Sequence, residues 1–86
     1  MTWSIIARDQ GQFGIAVATR FFAAGALVPH LKARTGAIAT QALVNPFYGT
    51  EGLRLLELGQ SASEVISTVT TADAGRDHRQ VHVMDA

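Results

Sequence analysis

The sequence predicts an α+β fold of layered sheets and helices, and three observations carry that prediction. The first twenty residues read as a β-hairpin, the run from Ala37 to Val44 is apolar with mostly small side chains, and two helical segments follow each other directly after Asn45. Two apolar strands beside consecutive amphipathic helices call for a sheet that buries its faces under a helix layer.

Bulk properties narrow the class. The chain has 86 residues, 48% of them hydrophobic and 16% charged, which is a globular rather than a disordered composition. Seven Lys plus Arg balance seven Asp plus Glu, so there is no basic field to draw in a phosphate backbone, and nucleic acid is not an expected partner. Arg8, Asp9 and Arg20 interrupt the first apolar segments well short of the ~20 residues a membrane helix needs, and no basic segment leads an apolar one at the start. The expected compartment is therefore the cytoplasm, and no membrane association is expected. Without cysteine the chain has neither disulfides nor thiol chemistry. A domain this small leaves much apolar surface uncovered, so a partner surface is expected.

Taken in order, Thr2 to Ala7 forms the first strand, Asp9-Gln10-Gly11 turns the chain, and Phe13 to Thr19 forms the second strand. The second run is almost wholly apolar, which predicts burial on both of its faces. Phe21 to Val28 reads as a loop or short turn broken by Gly25 and closed by Pro29, its paired aromatics either plugging the core or lining a pocket. Leu31-Lys32-Ala33-Arg34 alternates as a strand with one wet face, and Thr35-Gly36 turns into the small-residue run Ala37 to Val44, whose backbone something must approach closely.

Asn45-Pro46 supplies a helix start, Gly49 and Gly52 weaken the helix that follows, and Gly59 ends it in a left-handed cap. Ser61-Ala62-Ser63-Glu64 is a capping box opening a second helix, with Ala62, Val65, Ile66 and Val69 as its buried stripe. A charged loop, Arg76-Asp77-His78-Arg79, then leads to a strand from Gln80 to Met84 with Val81 and Val83 on one face. No further segment follows to pair with that strand, so the chain reads as an interrupted domain spanning residues 1–86.

Few residues point to chemistry. Gly11-Gln12-Phe13-Gly14 lacks the third glycine and acidic residue of a dinucleotide loop. His78 and His82, placed on one strand, stand roughly 13 Å apart and cannot share a metal, so no metal or other cofactor is expected. His30 reads either as a base or ligand or as a partly exposed side chain. Asp73 and Asp77, beside Arg76 and Arg79, read as surface ion pairs or as carboxylates that position a substrate. Thr2 is the sharper case. If Met1 is removed, its hydroxyl and a free α-amine of pKa ~7.7–8.0 share one residue, so the nucleophile carries its own base. The alternative is an ordinary threonine leading a strand.

Several segments together resemble the DUF1028 family, a group described as having the N-terminal-nucleophile hydrolase fold. They are Thr2 to Asp9, Gly14 to Phe22 with Gly25 and Val28-Pro29, Gly36 to Ala42, Asn45 to Gly49 with Gly52-Leu53, and finally Asp73, Arg76-Asp77, Arg79 to Val81 and Asp85-Ala86. The Arg-Phe-Phe, Ala-Thr-Gln-Ala and Asn-Pro-x-Tyr-Gly runs are the most specific parts. The resemblance implies an αββα sandwich of two stacked sheets between helix layers, of which this chain is the N-terminal part. It implies amide hydrolysis with Thr2 as the catalytic nucleophile and Lys32 as a catalytic aid that lowers the amine's pKa. Arg20, Gln41 and Asp77 are the expected substrate-binding residues. Two functional expectations follow: an amide-bond hydrolase acting on a small-molecule amide, or a truncated or split half of the fold serving as a structural subunit. In either case a homo-oligomer or a complementary chain completes the domain.

Overall fold

The computed structural model describes residues 2–20, 28–42 and 44–86. In chain order they form β1 (Thr2–Asp9), β2 (Gln12–Thr19), β3 (Pro29–Lys32), β4 (Gly36–Ala42), α1 (Phe47–Glu57), α2 (Ala62–Thr71), a 3-10 turn (Arg76–His78) and β5 (Arg79–Asp85). Of the loop expected at Phe21 to Val28, residues 21–27 lie outside the described residues, as does residue 43. β1 and β2 make an antiparallel two-stranded sheet. β3, β4 and β5 make an antiparallel three-stranded sheet with β4 at its centre.

The hairpin turns tightly because Asp9 pairs with Gln12, leaving only Gln10 and Gly11 between the strands. Both have positive φ, 50° and 78°, the primed turn geometry whose twist matches that of the flanking strands. One face of the hairpin is covered. Ile6, Ile15 and Val17 pack on Ala39 of the three-stranded sheet and on Val28, which immediately precedes β3. The other face is bare, with Trp3 70% and Ile5 66% exposed beside Gly14, Ala16 and Ala18, which are also exposed. Two-sided burial of Phe13 to Thr19 is thus corrected to strict alternation. Its outer residues are apolar but small, and among the described residues no layer covers them.

Two-sided burial belongs instead to β4, where Gly36 to Thr40 are all buried. Ala39 meets the hairpin on one side. On the other, Ile38 joins Tyr48, Leu55 and Leu56 of α1 and Val65 and Val69 of α2, with Val81 and Val83 of β5 packed alongside. The order of layers is hairpin, three-stranded sheet, helices. The small side chains of β4 are needed because two layers close on it.

That close approach also explains Gly49 and Gly52. A Cβ on Gly52 would stand 2.3 Å from Ile38 Cδ1, and one on Gly49 2.2 Å from the His30 ring. Each glycine costs roughly 1 kcal/mol of helix propensity relative to alanine, yet α1 forms because its flat face lies directly on the sheet. Asn45 opens it by accepting the Phe47 amide through Oδ1 at 3.1 Å. Gly59, at φ 95°, closes it in a Schellman motif in which the Gly59 and Gln60 amides donate to the carbonyls of Leu56 and Leu55.

The capping box at Ser61 forms as expected, Ser61 Oγ accepting the Glu64 amide and Glu64 Oε1 accepting the Ser61 amide. The Asp85 carboxylate adds to it by accepting the Ala62 amide at 2.8 Å, which ties the end of β5 to the start of α2. Ser61→Ala is expected to lower unfolding free energy by about 0.5–2 kcal/mol, read from a urea titration with unchanged slope. Among the described residues no helix is long and apolar enough to cross a membrane.

Candidate functional site

The first residues of β1 meet the three-stranded sheet at a cluster of polar side chains. Side chains alternate along β1, so Thr2 and Ser4 share the inner face with Ile6. The register opposes Thr2 to Thr19, and their hydroxyl oxygens lie 2.9 Å apart. On the facing sheet, β4 and β5 bring Gln41 opposite Gln80 and Ala39 opposite His82. Ser4 Oγ is 2.7 Å from Gln41 Oε1 and 2.8 Å from His82 Nε2. Gln41 Nε2 donates to the Thr2 carbonyl at 3.2 Å and to Gln80 Oε1 at 2.8 Å. Four strands from two sheets are joined here by one network, and the apolar part of the inner face begins at Ile6.

Of the residues expected at the site, Thr2 and Gln41 meet in this network. Arg20 is exposed one residue beyond Thr19, at the open end of the hairpin, and Asp77 is exposed on the 3-10 turn. Lys32 is not brought to Thr2. It pairs with Gly36 at the start of β4, five residues or about 16 Å along the strand from Gln41, and its ammonium is bonded to the Glu57 carboxylate. Sequence reasoning missed Ser4, Thr19, Gln80 and His82. The alternation of β5 held the signal, since placing Val81 and Val83 toward the helices turns Gln80 and His82 toward the hairpin.

A second polar constellation lies on the helix side. Tyr48 Oη donates to Asp73 Oδ2 at 2.5 Å, Arg79 Nε donates to the same oxygen at 2.5 Å, and Asp73 Oδ1 accepts from the Gly75 amide at 2.9 Å and Arg79 Nη2 at 3.3 Å. The Asp73 and Arg79 side chains are only 12% and 21% exposed. The surface ion pair expected here is therefore a largely covered one, drawn in because α1 supplies the phenol that closes over it. Arg79 first, and the Tyr48 phenol second, hold the Asp73 carboxyl well below the usual carboxylate range, while burial first and Asp73 second push the Tyr48 phenol up. With its oxygens taken up by four donors and its charge fixed, Asp73 is an anchor that joins α1 to the approach to β5. It borders a cleft of about 270 Å³ whose other walls include Asn45, Phe47, Glu51 and Thr68. Glu51 is itself held bidentate by Arg54.

A hairpin stacked on a helix-covered three-stranded sheet, with a hydroxyl and amide cluster where the two sheets meet, defines a mixed α/β domain whose candidate site sits at the head of its first strand. The chain belongs to the family of unknown function DUF1028, whose family model matches residues 2–86. Its structure is similar to the crystal structure of protein SPO2555 from Silicibacter pomeroyi, which carries the same family description. The TM-score is 0.92 at 36% sequence identity, over 98% of this chain and 40% of that one. This chain thus spans about 40% of the length of that related protein. No curated protein matches it.

Proposed function

We propose that this chain carries the nucleophile-bearing part of an amide-bond hydrolase of the N-terminal-nucleophile type. Its hairpin and three-stranded sheet are read as the two inner sheets of an αββα sandwich. The observation that carries the reading is Thr2 itself: its hydroxyl lies on the inner face at the head of β1, 2.9 Å from the Thr19 hydroxyl, and its carbonyl is held by Gln41. After removal of Met1, the Thr2 amine takes the proton of Oγ1, directly or through a water, as Oγ1 attacks the amide carbonyl. The C–N bond then breaks, the leaving amine carries that proton away, and water hydrolyses the Thr2 ester. Lys32 has no part in this proposal because of its distance along β4, whereas Arg20 stands at the rim where it can meet an anionic substrate group.

Mass spectrometry of the purified protein is the first test, since an active preparation that retains Met1 excludes the mechanism. The second is hydrolysis of a panel of acyl p-nitroanilides. Thr2→Ala is expected to lower turnover on the order of 10³-fold or more, while Thr2→Ser retains much of it. Unchanged turnover in Thr2→Ala would rule the reading out.

A second reading, of a non-catalytic half of the fold acting as a structural subunit, is favoured by the bare outer face of the hairpin. Trp3, Ile5, Ala16 and Ala18 line a shallow apolar groove of about 410 Å³ there. In this second reading a further polypeptide, from a second copy or a complementary chain, covers this face. Sedimentation that finds a stable 86-residue monomer with Trp3 exposed to quencher would count against the structural-subunit reading.

A further inference from the structure

We infer that His82, acting through Ser4 and Gln41, is a positioning residue for Thr2, and that the hydrogen bonds between them run in one direction only. The argument begins at the Thr2 carbonyl, which can accept but not donate. The Gln41 amide atom 3.2 Å from it must therefore be the NH₂ nitrogen. That assignment turns Oε1 of Gln41 toward Ser4, and because Oε1 carries only lone pairs, Ser4 must spend its single hydroxyl hydrogen on this 2.7 Å contact. Ser4 Oγ then has only lone pairs to offer its other neighbour, so the 2.8 Å contact with His82 Nε2 exists only if Nε2 carries the hydrogen. The order is His82 to Ser4 to Gln41 to the Thr2 carbonyl, and the second amide hydrogen of Gln41 goes to Gln80 at 2.8 Å.

Two consequences follow. Ser4 and His82 have the spacing of a nucleophile and its base, but the base nitrogen is already protonated and the serine hydrogen points elsewhere, so Ser4 is not an activated nucleophile. The imidazole is fixed with a hydrogen on Nε2, because Ser4 Oγ can only accept from it. What it supplies is orientation. β1 is attached to the neighbouring sheet at the residue whose hydroxyl would react, through groups contributed by β4 and β5.

The functional meaning of this relay rests on the Thr2 reading, but its existence does not, and the test separates the two. Long-range ¹H–¹⁵N correlation on the full chain is expected to find His82 as the Nε2–H tautomer; an Nδ1–H tautomer would overturn the inference. In His82→Leu and in Ser4→Ala the Thr2 carbonyl ¹³C resonance is expected to move upfield as its hydrogen bond loosens. His82→Gln, whose side-chain amide can donate in the same place, should restore it. Acylation by a β-lactone reads the functional side. Ring opening breaks the lactone acyl C–O bond, forms an ester at Thr2 Oγ1 and moves the hydroxyl proton to the freed alkoxide. Its rate should fall on the order of tenfold to a hundredfold in His82→Leu and recover in His82→Gln. Wild-type values of both the carbonyl shift and the acylation rate in His82→Leu would overturn the inference. If the wild-type protein is not acylated while the tautomer and carbonyl shifts come out as expected, the relay stands and the Thr2 mechanism falls.

Discussion

Replacing Ile38 with alanine should lower the unfolding free energy by about 2–5 kcal/mol, the range for truncating a fully buried aliphatic side chain whose surroundings cannot close on the space. Ile38 has no exposed surface and is the one β4 residue in the helix-side core, where it meets α1 and α2. The gap cannot be filled from α1, because Gly52 stands directly over Ile38 Cδ1 and has no side chain to move in. For a chain of this size total stability is about 4–13 kcal/mol, so the loss is a large share of it. Chemical denaturation of the wild type and Ile38→Ala under one condition measures it directly. A change below about 1 kcal/mol, the range of surface substitutions and conservative swaps, would show that the helices do not depend on this contact.

The second large effect concerns Asp73, and its sign can be worked out. The folded-state pKa of Asp73 lies below that of the unfolded chain, about 3.9, because Arg79 and Tyr48 bond the charged form. A depressed carboxyl contributes stability that is complete above the unfolded pKa and is lost as pH falls through the folded value. Asp73→Asn removes the charge while keeping the shape, so its melting temperature should lie well below wild type near neutral pH. The two curves should then converge as pH falls below about 4. Parallel curves down to pH 2 would mean that Arg79 gains nothing from the carboxylate. Tyr48→Phe, which removes one of the four donors, should act in the same direction with a smaller drop.

Much of this architecture could be read from the residues in order. Ser61 and Glu64 specify their helix start through groups three residues apart, Gly59 ends α1 with its own backbone freedom, and the hairpin follows from alternation about a two-residue turn. Each of these interactions closes within a few residues. The small side chains of β4 likewise predicted a layer packed on it, because the space a neighbour requires is written in side-chain size.

The candidate site was legible only in part, for a physical reason. Thr2 stood out because its hydroxyl and its place behind Met1 are properties of one residue, and Gln41 came into view through the Ala-Thr-Gln-Ala run. Ser4, Thr19, Gln80 and His82 carry no mark in isolation, and they become a site only when the register of β4 and β5 and the stacking of the hairpin bring them within hydrogen-bond reach of Thr2. Register also removed Lys32, which pairs at the opposite end of the same strand. It was stacking, too, that left Trp3 and Ile5 bare while closing over Asp73, since alternation tells which residues share a face but not which face meets another layer. Local chemistry determined the strands, turns and caps of this protein; the choice of partners across layers, and with it the network that holds Thr2, was decided by tertiary packing, because contacts between residues 37 to 78 positions apart depend on how whole elements dock.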